Sequence, residues 1–114
     1  MEILFKEYKS FKHLNISNLN TEKAGNMRGM FYNCANLDKL NLSHFNSNNV
    51  GSFCDMFYGC RTLINLDIYN FITNKARIFE RMFCRCESLI EIYITKYNTL
   101  MPKICGICFM DAAS

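Results

Sequence analysis

A chain of 114 residues is sized for one domain, and with half its residues apolar and 14% aromatic it is no disordered tail. Its formal charge of +3 is small and scattered, so it lacks the basic stripe of a nucleic-acid binder, and no nucleic-acid partner is expected. The start, Met1-Glu2-Ile3-Leu4-Phe5-Lys6-Glu7-Tyr8, has no basic segment leading into an apolar run, and no stretch approaches transmembrane length.

The pattern begins at Leu4-Phe5 and repeats every 26 residues. In the first copy Tyr8, Phe11, Leu14 and Ile16 hold the positions that later copies fill with Cys and leucine-like residues. The second reads Met30-Phe31-Tyr32-Asn33-Cys34, then Leu37, Leu40 and Leu42. The third reads Met56-Phe57-Tyr58-Gly59-Cys60, then Leu63, Leu66 and Ile68. The fourth reads Met82-Phe83-Cys84-Arg85-Cys86, then Leu89, Ile92 and Ile94. The copies divide a single domain, 4–114, into 4–29, 30–55, 56–81, 82–107 and a partial 108–114.

Within a copy, two apolar periods alternate. Leu40 and Leu42, Leu66 and Ile68, and Ile92 and Ile94 are two apart, which places each pair on one face of a short strand. Phe53, Met56, Phe57 and Cys60 follow helical spacing, so a short helix is expected there. Polar corners follow the strands, as at Asn46-Ser47-Asn48-Asn49, and a second extended piece is expected near Val50 and Ala76. Fourteen asparagines suit a chain with many corners, because Asn bonds its own backbone and tolerates left-handed turns. One copy alone would leave much of its apolar set wet, whereas stacking completes the burial. The expected fold is therefore an α/β repeat: a solenoid of about four coils, with a parallel β-strand ladder and short helical segments.

The combination Met-Phe-x-x-Cys-x-x-Leu-x-x-Leu-x-Leu, followed by Phe45-Asn46-Ser47-Asn48-Asn49-Val50, resembles the BspA-type leucine-rich repeat. That group includes repeats of about 25 residues in bacterial and mycoplasma surface lipoproteins. The resemblance implies a leucine-rich-repeat solenoid, non-enzymatic adhesion or protein binding, and a cell-surface or secreted setting. It implies no catalytic residue. The first copy departs by placing Tyr8 at the Cys position, and the last by placing Pro102 where Val50 and Ala76 stand. An uncapped final coil would expose apolar surface, so end-to-end self-association is a further expectation. If the chain is whole, its thiols belong in a reducing compartment; if it is a piece of an exported protein, its signal lies elsewhere.

Seven cysteines prompt a search for thiol chemistry. Cys34, Cys60 and Cys86 share one repeat position and read as buried fillers, since a thiol packs as a small hydrophobe. Cys84, Cys86, Cys105 and Cys108 would supply four thiolates for zinc, but Cys86 belongs to the core row, and Cys105 and Cys108 stand at inward positions. A Cys105–Cys108 disulfide is the stronger alternative for an exported chain. His13 and His44 occupy different repeat positions without a matched acid and read as solvated. No resident metal and no cofactor is expected.

The candidate binding surface is the outer face of the strands. With Leu40 and Leu42 inward, Lys39, Asn41 and Ser43 point out; so do Asn65, Asp67 and Tyr69, then Glu91, Tyr93 and Thr95, with His13, Asn15 and Ser17 before them. Such a grid suits a protein or glycan ligand, and Tyr69 and Tyr93 favour binding over simple solvation. The alternatives are spacer units of a longer surface protein, or a Cys-rich zinc module.

Overall fold

The computed structural model describes residues 12–14, 16, 19–68, 71–72 and 74–93, with the backbone alone at Glu91 and Tyr93. Three strands form one parallel sheet in the order β1 (Lys39–Asn41), β2 (Asn65–Asp67), β3 (Glu91–Tyr93). Lys39 pairs with Asn65, and Asn65 with Glu91; Leu40 pairs with Leu66, and Leu66 with Ile92. A single bridge from His13 to Lys39 extends the sheet on the β1 side. The second extended piece is reduced to isolated bridges, Asn26 to Ser52 and Ser52 to Ile78.

The expected leucine-rich-repeat solenoid with short helices is not what forms. Among the described residues there is no helix, each strand has three residues, and the body measures 31 × 30 × 20 Å, compact rather than elongated. The segment 53–60 shows why its helical spacing misleads. Phe53, Asp55, Phe57 and Gly59 donate their N–H groups across to Ile78, Glu80, Met82 and Cys84. Met56, Tyr58 and Cys60 donate locally, three residues back, to Phe53, Asp55 and Phe57. Every second amide is therefore spent on the neighbouring segment, and the i→i−4 ladder of an α-helix has no donors for it. Left-handed backbone at Asp55 (φ 57°) and Gly59 (φ 75°) also interrupts the right-handed path every four residues. The outcome is a run of tight turns that still sends Phe53, Met56, Phe57 and Cys60 inward.

The left-handed positions recur in step with the sequence: Gly29, Asp55 and Arg81 at one place, Asn33, Gly59 and Arg85 at the other. Glycine and asparagine adopt this conformation at little cost, whereas arginine carries a steric penalty of about 1–2 kcal/mol.

The core is one apolar cluster between the sheet and the turns. Leu40, Leu42, Leu66 and Ile68 enter it from the sheet side, and Met30, Phe31, Met56, Phe57, Met82 and Phe83 from the turns. Phe31, Phe57 and Phe83 stack with centroids 5.6 and 5.5 Å apart and rings within 7° of parallel. Of the copies read from the sequence, 4–29 and 82–107 are described only in part, and 108–114 lies outside the described residues. So does the C-terminal end to which self-association was assigned.

Candidate functional site

The strand face is built by alternation. Leu40 and Leu66 turn into the core, leaving Lys39, Asn41 and Asn65 exposed and Asp67 half-buried. Ser43 is exposed beyond the end of β1. Asn41 has a structural task as well, because its Oδ1 accepts the Ser43 N–H at 2.9 Å and fixes the turn that leaves the strand. Glu91 and Tyr93 lie in β3 in register with Asn65 and Asp67. Tyr69, Thr95, Asn15 and Ser17 lie outside the described residues. A cleft of about 650 Å³ opens over β1 and β2, lined by His13, Leu14, Lys39, Leu40, Asn41, Asn65 and Asp67. Four of the nine strand-face candidates, Lys39, Asn41, Asn65 and Asp67, therefore meet in one depression.

A second cleft, of about 960 Å³, lies on the N-terminal side of the strands. Its walls carry Asn36, Thr62 and Ser88 in one row and Lys12, Asp38, Ile64 and Ile90 in the next, with Leu89 and Glu87. Strand alternation alone does not locate it, because Asp38 and Ile64 sit just before β1 and β2, where the chain is turning. The signal lay in the 26-residue register: Asn36, Thr62 and Ser88 are small and polar at one position. Thr62 is anchored there, its hydroxyl 3.0 Å from the carbonyl oxygens of both Ala35 and Leu37.

Both histidines are exposed, as the sequence reading expected, and each also has a partner that reading did not give it. Nδ1 of His13 lies 3.0 Å from Asp38 Oδ1, and Lys12 Nζ lies 3.9 Å from Oδ2 of the same carboxylate. His44 Nε2 sits 2.7 Å from the Ile16 carbonyl, and its ring meets Phe45 edge-on at 5.1 Å. The acid that faces His13 stands one residue short of a full period away, so it was invisible at matched positions.

The thiols are held in chemically quiet settings. Cys34, Cys60 and Cys86 are buried; the Cys60 thiol donates to the Phe31 carbonyl at 3.2 Å and the Cys86 thiol to the Phe57 carbonyl at 3.0 Å. Burial pushes the Cys60 thiol well above its ordinary value and the Cys86 thiol up to about 12. Burial also raises Cys54, with the neighbouring Asp55 charge adding to it. Cys84 is disulfide-bonded, so it offers no thiolate to the four-cysteine zinc set, whose other half lies outside the described residues. Among the described residues no group of three or more His, Cys, Asp or Glu side chains is placed to hold a metal ion. Asp55 instead receives Arg81, at 2.8 Å from Nε to Oδ1, and this hydrogen bond raises the arginine further.

Sheet, turns and clefts define a small parallel-sheet protein with a thiol-lined core and a polar strand face. The chain belongs to the Mycoplasma protein family of unknown function DUF285, whose family model matches residues 1–114. No curated protein and no solved structure matches the chain. Among the described residues, no helix is long and apolar enough to cross a membrane.

Proposed function

We propose that this protein is a non-enzymatic recognition module that binds a protein or glycan through its strand face, in the manner of the BspA-type surface repeats its sequence resembles. The observation that supports this reading is the 650 Å³ cleft over β1 and β2. Its exposed side chains, Lys39, Asn41 and Asn65, are free of any core-packing duty and offer a cation and two amides to a ligand. Asp67 adds a carboxylate at its rim.

A displayed random-peptide library and a printed glycan array, each probed with the 114-residue chain, test the reading. Binders should appear on at least one, and the variant Lys39→Ala/Asn65→Ala/Asp67→Ala should lose them by at least tenfold with an unchanged circular dichroism spectrum. A chain that binds nothing on either platform, or a variant that binds as well as the parent, returns these segments to the role of spacer units.

A further inference from the structure

The larger cleft beside the strand face has a composition that selects among ligands. Backbone bonds from Asp38 N to the Lys12 carbonyl and from Ile90 N to the Ile64 carbonyl set Lys12, Asp38, Ile64 and Ile90 on successive rungs, about 4.8 Å apart. Along that line the surface changes from charged to aliphatic. Ile64 is 44% exposed and Ile90 78% exposed, large values for isoleucine, and the partly buried Leu89 lines the same cleft. Among the described residues the larger cleft is lined by no aromatic ring on which a sugar could stack, whereas the His13 imidazole lines the smaller one.

Charge completes the selection. The ionic side chains of the larger cleft are already matched, Lys12 with Asp38 and Glu87 with Arg61 at 3.1 Å. Lys39, which lines the smaller cleft, has no carboxylate partner among the described residues. Lys39 pairs with Asn65 and Asn65 with Glu91, so Ile90 lies two rungs from Lys39, about 10 Å away. An extended polypeptide covers that distance in about three residues.

We propose that the partner is a polypeptide, bound as an extended segment whose carboxylate meets Lys39 and whose aliphatic side chain, two to four residues away, seats between Ile64, Leu89 and Ile90. This rests on the strand-face reading above and narrows its ligand from protein or glycan to an acidic–aliphatic peptide. Main-chain groups of the segment would find a hydrogen-bond partner in the exposed Ser88 hydroxyl.

The test pans a random dodecapeptide display library against the full chain. Enriched peptides should share an Asp or Glu two to four positions from Leu, Ile or Val. One such synthetic peptide should bind Ile90→Asp at least tenfold more weakly than the parent, bind Lys39→Glu at least tenfold more weakly, and bind Ile90→Leu as the parent does. Circular dichroism of each variant should match the parent; Ile64→Ser provides a second probe if Ile90→Asp fails to fold. Peptides that ignore the isoleucine substitutions but are lost on Lys39→Ala/Asn65→Ala/Asp67→Ala overturn this inference and leave the strand-face reading standing. Glycan binders without peptide binders do the same. Silence on both platforms overturns both.

Discussion

The Ser47 hydroxyl closes a reciprocal pair with the backbone of Ile72: it accepts the Ile72 N–H at 2.6 Å and donates to the Ile72 carbonyl at 3.0 Å. Thr21 does the same for Asn46, at 2.8 and 3.1 Å. Both hydroxyls are buried, so each serves as a small substitute for a strand partner at a corner where the sheet does not reach.

Replacing Ser47 by Ala should therefore strand two backbone groups at once. The expected cost is about 2 kcal/mol, read as a lower urea midpoint with an unchanged m-value. Ser47→Thr should sit close to the parent, because Thr21 already fills the equivalent corner. An alanine variant as stable as the parent would mean that water supplies both bonds.

The left-handed turn positions make opposite predictions for two residues. At Gly59 a Cβ would collide with Asn33 Oδ1 and stand 3.4 Å from its Cα, on a backbone with φ 75°. Gly59→Ala should destabilise by about 2 kcal/mol or more. Arg85 occupies the same turn position with φ 60°, where the second copy has Asn33. Arg85→Asn should raise stability by about 0.5–1 kcal/mol, although it gives up the Arg85 Nε bond to the Tyr58 hydroxyl at 3.2 Å. Thermal melts of the two variants should move in opposite directions.

Burial of Cys86 links stability to alkaline pH. Its thiol titrates near 12 in the folded chain against 9.0 for an unburied thiol. Below pH 9 both states keep the proton, and stability owes nothing to this group. Above pH 9 the unfolded chain loses the proton first, so stability falls by about 1.4 kcal/mol per pH unit until the folded thiol also ionises. Urea titrations at pH 8, 9.5 and 10.5 should show that fall, and Cys86→Ala should flatten it while lowering stability throughout. A slope unchanged in the variant would assign the loss to another group, the buried Cys60 thiol first.

The inward set was legible because it is periodic: Leu40, Leu66, Phe57 and Cys60 repeat at fixed offsets, and the structure buries them all. The parallel pairing of β1, β2 and β3 followed from the same offsets. The helix was misread because apolar spacing reports which side chains point inward, not which amides bond locally. Phe53, Met56, Phe57 and Cys60 satisfy a helix and a chain of turns equally well. The deciding signal was Gly29 and Gly59, which mark two different turn positions and only together reveal a left-handed residue every four. The clefts were half legible. Alternation put Lys39, Asn41, Asn65 and Asp67 on one face, but the wall made by Ile64 and Ile90 depends on where the chain turns before each strand. The His13–Asp38 contact depends on a one-residue offset that only coordinates supply.

The cross-segment amide bonds join residues 25 apart again and again, from Phe53 to Ile78 as from Phe31 to Met56. That constancy governs how such a chain can change length over evolutionary time. A single residue inserted between Leu42 and Asn65 would throw β1 and β2 out of register, while the spacing of Asn65 to Glu91 would be unchanged.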